Sequence, residues 1–130
     1  MLNAGVELTI GGEKMCFLIG GRSPWGRIEH LDGLREIQEP GVLFIRTAGH
    51  GGYVIDDDHL PSIPKKWRAI ASEWSNGWGP NFYEEDCCAV AVAAHVLKID
   101  RAIKDLPWME KHASIFSTAG FVDYGDTSRS

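Results

Sequence analysis

The run Val42-Leu43-Phe44-Ile45-Arg46-Thr47, followed at a short distance by Tyr53-Val54-Ile55, constrains the fold most. Both stretches are rich in β-branched and aromatic residues, which fit the pleated, half-buried surface of a strand. Ala48-Gly49-His50-Gly51-Gly52 separates them. Three glycines in five residues give the backbone free choice of φ, so the segment predicts a hairpin with His50 near its tip. A second hairpin is predicted over residues 6–10 and 15–19, parted by Gly11-Gly12-Glu13-Lys14, and a short strand from Arg27 to His30.

Helical spacing takes over elsewhere. Leu31, Leu34 and Ile37 predict a short helix from Asp32 to Gln38, stopped by Pro40-Gly41. Ser62 or Ile63 is the expected cap of a helix with Pro64 in its first turn, and Trp67, Ile70, Ala71 and Trp74 form its apolar stripe. Asn81 and Glu84 match a capping box, with Asn at the N-cap and Glu three residues on. The helix they open is expected to reach about Leu97 and, apolar nearly all round from Cys87, to sit centrally. A further helix is predicted from Ile99 to His112, broken near Pro107. Strands come early and long helices late. That order predicts an α+β fold, a small antiparallel sheet of two hairpins packed against a central apolar helix and flanking helices. The length of 130 residues fits a single domain over 1–130, with residues 124–130 as a frayed tail.

Composition excludes several classes. A hydrophobic fraction of 44% and a charged fraction of 24% rule out collagen and a wholly disordered chain. Thirteen basic against 18 acidic residues give −5, the wrong sign for a generic nucleic-acid binder, and the densest basic group, Lys65-Lys66 with Arg68, is small. Cys16, Cys87 and Cys88 are odd in number, two of them adjacent, with no Cys-x-x-Cys. This argues against a disulfide framework or a zinc knuckle and suits a reducing compartment. The longest apolar stretch, Cys87 to Val96, is interrupted by His95 and is far shorter than the roughly 20 residues of a membrane span. No basic segment followed by an apolar run opens the chain. The expected location is the cytoplasm, with no membrane and no direct nucleic-acid contact.

Four groups have side chains able to carry chemistry. His50, in a glycine turn, is a candidate general base or metal ligand; the plainer reading is an exposed turn residue. In Tyr83-Glu84-Glu85-Asp86 the carboxylates can hold a cation or share a proton, or simply favour the start of a helix through its dipole. Glu84 already has a capping explanation, whereas Asp86 falls on the apolar side of the predicted helix with Val90, Ala93 and Leu97, so Asp86 ranks above Glu84. Asp56-Asp57-Asp58-His59 lacks the glycine and distal glutamate of a calcium loop and reads as a solvated turn. Cys87 and Cys88 are expected to be buried, inert thiols, and His95 a satisfied core histidine. Trp25 and Trp78 lie in glycine-proline loops, where they either bind a partner or pack down and pin the loops.

Ser23-Pro24-Trp25-Gly26, Pro40-Gly41-Val42, Thr47-Ala48-Gly49-His50-Gly51-Gly52 and Tyr83-Glu84-Glu85-Asp86-Cys87, in that order, resemble the motifs of an uncharacterised family of small domains carried by phages and plasmids. The resemblance covers about residues 23–97. It implies no reaction; it implies a mobile genetic element and makes His50, Tyr83, Glu84, Glu85 and Asp86 the distinctive polar set, either a site or a structural network around the glycine turn.

The leading expectation is therefore a phage or mobile-element accessory protein that inhibits a host defence system, of anti-CRISPR or anti-restriction type. It would dock on an effector with a basic nucleic-acid-binding surface through Asp56, Asp57, Asp58, Glu73 and Trp78. No cofactor and no metal ligand set is assigned in that reading, and the N-terminal hairpin with Cys16 offers an edge for a homodimer. The alternative is a metal-dependent or acid/base hydrolytic enzyme using His50 with Glu85 and Asp86, and Tyr83 as a stabilising donor.

Overall fold

The structure, a computed structural model, describes residues 5–32 and 39–111. It is an α+β fold. Strands β1 (Val6–Ile10) and β2 (Glu13–Phe17) form an antiparallel hairpin, in which Ile10 faces Glu13 across a two-residue turn. Gly11 and Gly12 make that turn with φ of 60° and 83°, a region closed to most side chains. A two-residue ladder follows, β3 (Arg22–Ser23) with β4 (Gly26–Arg27). The main sheet has four antiparallel strands in the order β5 (His30–Asp32), β6 (Val42–Arg46), β7 (Gly51–Ile55) and β8 (Phe82–Glu84). A 3-10 helix (Asp57–Ser62) leads into α1 (Lys65–Trp74); α2 (Ala89–His95) and α3 (Asp100–Lys111) come last.

The main sheet separates two cores, and strand alternation decides which side chain enters which. Leu43, Ile45, Val54 and Phe82 pack with Leu8, Ile10, Phe17 and Ile28 on the hairpin side. Val42, Ile55 and Tyr83 pack on the opposite face against Trp67, Ile70 and Ala71 of α1 and Ala91 and Val92 of α2. The α1 stripe thus enters the core at the positions its spacing predicts. One long-range clasp holds the N-terminal hairpin: the Asp57 carboxylate accepts from the Gly11 and Gly12 amides, at 2.9 and 2.8 Å, and from Asn81 Nδ2 at 3.1 Å. Those amides hold the Asp57 carboxyl below its ordinary range.

Several expectations are corrected. Asn81 to Leu97 is not one helix: Phe82–Glu84 is strand, a turn follows, and α2 begins at Ala89. Asn81 is no cap; it is buried and donates to Ile55 O at 2.8 Å. Glu84 is no capping residue and Asp86 lies in the turn, not on a helix face. Strand pairing won because Phe82 and Tyr83 each fill a core on opposite sides of β8, which no helix at this position would achieve. Arg27 ends β4 and His30 opens β5, so the predicted single strand there is two. Asp32 belongs to β5, and the rest of the predicted helix to Gln38 lies outside the described residues, as does the tail 124–130. α3 runs through Pro107 without a break. Gly51 and Gly52 do not have positive φ; they are required by close approach, since a Cβ on either would meet a backbone carbonyl, of Ile45 or Tyr83. Cys87 and Cys88 are buried free thiols, and their mutual hydrogen bond, with burial, pushes the Cys87 thiol up. His95 lies in α2 with its Nε2 buried and without a partner among the described residues, and burial lowers its pKa. Among the described residues no helix is long and apolar enough to cross a membrane.

Candidate functional site

The β6–β7 turn and the end of β8 meet at one corner of the sheet. Thr47 closes the turn. Its amide donates to His50 O at 2.8 Å, its hydroxyl donates to the same carbonyl at 2.6 Å, and the hydroxyl oxygen accepts from the His50 amide at 3.1 Å. This pins the backbone of His50 while the imidazole stays 54% exposed. From the other side, the Glu85 amide donates to Gly51 O at 2.8 Å, and Gly52 pairs with Glu84 in the ladder.

Glu84 projects from the same face as Phe82 and Ile45, on the hairpin side of the sheet. Gly52, directly opposite it, has no side chain, and the Trp25 ring takes that space, with its rim carbon 2.6 Å from where a Cβ would stand. Only 8% of the Glu84 side chain is exposed. Its Oε1 accepts from the Asp86 amide at 2.8 Å; its Oε2 lies 3.4 Å from His50 Nδ1. Asp86 Oδ2 lies 3.8 Å from the same nitrogen. His50, Glu84, Glu85 and Asp86 each offer one ligand atom, and these atoms lie within 4.8 Å of one another. Burial raises the Glu84 carboxyl from 4.5 to about 7, opposed by the Asp86 amide and reinforced by the Asp86 charge. A carboxyl there exchanges its proton near neutrality.

The structure thus brings together His50, Glu85 and Asp86 with Glu84, and Glu84 rather than Asp86 is the buried member. The signal for Glu84 was its period-two relation to Phe82, hidden by the resemblance to a capping box. Tyr83 is excluded from the cluster by the same alternation. It lies in the opposite core with its hydroxyl buried and without a partner among the described residues, and desolvation raises its pKa. Trp25 and Thr47, which lie over and lock the corner, are marked in the sequence only by their turns and by the motifs of the family resemblance, not as members of a site.

The expected partner-binding residues take different parts in the fold. Asp56 caps the 3-10 helix by accepting from the His59 amide, and Asp57 holds the hairpin. Trp78 packs edge-on against Phe82 with ring centroids 5.5 Å apart, and Trp25 does likewise at 6.3 Å, so both rings pin their loops. Asp58 and Glu73 are exposed.

A family model described as a domain of unknown function (DUF7007) matches residues 19–115, about three quarters of the chain. The chain belongs to this family. No curated protein and no solved structure matches it. The DUF7007 match contains every residue of the corner, together with the Trp25 turn. It extends beyond the 23–97 of the sequence resemblance, through α3, and leaves the β1–β2 hairpin outside.

Proposed function

We propose that the corner of His50, Glu84, Glu85 and Asp86 binds a divalent cation and that the domain is a metal-dependent hydrolytic enzyme. One observation supports this reading above the others. Glu84 keeps a carboxylate almost fully out of water in a group with two further carboxylates, and the basic side chain beside it is a half-exposed histidine. Such a group is costly when ionised. A divalent cation offsets that cost, because it favours the ionised carboxylates that burial disfavours. One imidazole nitrogen with three carboxylate oxygens suits Mn²⁺ or Zn²⁺. A bound divalent ion acidifies water and polarises a carbonyl or phosphoryl oxygen, which is the chemistry of hydrolysis. His50, at the exposed rim, is placed to hold or move a proton.

Calorimetric titration of Mn²⁺ and Zn²⁺ tests the reading. The wild type is expected to bind one cation in the micromolar range, and His50→Ala to bind at least about tenfold more weakly. No binding to the wild type at millimolar cation overturns the proposal. Cation-dependent turnover across a panel of esters, amides and phosphoesters tests the enzymatic half, which fails if a cation binds and nothing is hydrolysed.

The net charge of −5 supports a second reading, the inhibitor of a host defence effector, a role suited to the mobile-element context that the resemblance implies. Of its expected contacts, Asp58 and Glu73 are exposed. Affinity capture of a defined effector complex is expected to weaken with salt and with Asp58→Lys plus Glu73→Lys. Capture indifferent to both removes the charge-steering argument.

A further inference from the structure

A second feature is independent of the carboxylate corner. In the β3–β4 ladder Arg22 lies directly opposite Arg27, and both are exposed. Like charges facing each other across a ladder destabilise it. Arg46 shows the usual remedy: it pairs with Asp32 at 3.8 Å and lies over the Phe44 ring. Arg22 and Arg27 have no such remedy; among the described residues neither has an ion-pair or hydrogen-bond partner. The Arg27 guanidinium lies over Gly20, 3.7 Å from where its Cβ would stand. The two residues before that glycine, Leu18 and Ile19, are 41% and 60% exposed. Backbone bonds fix this surface: the Gly20 amide donates to Ile28 O at 2.7 Å and the Ile28 amide to Gly21 O at 2.9 Å. Two cations without a partner among the described residues and two exposed aliphatics thus stand within one ten-residue segment, 18–27, held by these backbone bonds, on a chain whose net charge is negative.

We propose that Leu18, Ile19, Arg22 and Arg27 form a docking surface for an acidic segment of a partner protein that carries an aliphatic or aromatic side chain. Charge complementarity selects the occupant. The arginine pair offers forked donors for carboxylates, and the aliphatic pair offers cover for one apolar anchor. A second copy seated patch to patch would set arginines against arginines. An anionic membrane is recognised by clusters of roughly four to eight basic residues, and two on a chain of −5 are too few.

Selection from a library of random displayed dodecapeptides, followed by fluorescence anisotropy of the enriched peptides, tests this. The wild type is expected to enrich peptides with two or more Asp or Glu close to Leu, Ile, Val or Phe. Arg22→Gln plus Arg27→Gln is expected to bind them at least tenfold more weakly. It should melt no lower than the wild type, because it relieves the facing charges. Arg22→Glu plus Arg27→Glu is expected to enrich basic peptides instead. His50→Ala and Glu84→Gln are expected to bind the acidic peptides as the wild type does. No acidic enrichment, equal binding by the arginine variants, or binding to phosphatidylserine vesicles in place of peptides overturns the proposal.

Discussion

Glu84→Gln is expected to make the cation-free protein more stable at about pH 8 and to abolish its binding of Mn²⁺ or Zn²⁺. Burial raises the Glu84 carboxyl from 4.5 to about 7 in the folded state. The folded chain then holds more protons than the unfolded chain between these values, so stability falls as pH rises. The contribution is fully present below 4.5 and lost as pH passes through about 7. The loss is on the order of 3 kcal/mol, or roughly 10 °C in Tm for a chain of this size. Glutamine has nearly the shape of the protonated acid and retains an oxygen for the Asp86 amide, so its stability should be flat over the same window. Thermal melts of both proteins with a chelator present, from about pH 4 to 8, measure the difference. Parallel curves would show that Glu84 is not the titrating group. With cation added, the wild type should regain stability by mass action and the variant should not.

Gly52→Ala is expected to destabilise the fold by about 3 kcal/mol or more and to weaken cation binding with it. A methyl group at this position would meet Tyr83 O, the Trp25 ring at 2.6 Å and Glu84 Cα at 3.0 Å. Two of these three are backbone atoms of β8, so relief requires opening the β7–β8 ladder. That movement carries Glu84 away from His50. Gly49→Ala is the control: its Cβ would meet nothing within 4 Å, and its φ is not positive. Denaturant unfolding of both variants separates the cases. A Gly52→Ala protein as stable as Gly49→Ala would mean that neither β8 nor the Trp25 ring approaches Gly52 this closely in solution.

The parts of the fold legible in the sequence are those whose cause is local. Val42 to Ile55 reads as a hairpin because β-branched runs flank a glycine turn. The α1 stripe reads because Trp67, Ile70 and Ala71 recur at the helical period. Strand β8 was not legible, because Asn81 and Glu84 satisfy a helix-start pattern and an apolar run follows. What makes residues 82–84 a strand is pairing with Gly52, Tyr53 and Val54, about thirty residues earlier in the chain. The same error concealed the chemistry, since a capping glutamate is solvated and a strand glutamate opposite a glycine is not.

By itself, the sequence determined which side chains were available: a histidine in a glycine turn, three consecutive acids after Tyr83, and apolar periods sufficient for an α+β fold. Only the tertiary structure decided their roles. Proton affinity depends on the surroundings of the carboxylate rather than on its neighbours in the chain. The ring over Gly52, opposite Glu84 in the ladder, comes from Trp25, and the nitrogen beside Glu84 comes from His50. The exposed arginine pair likewise became visible only once the ladder set residue 22 against residue 27.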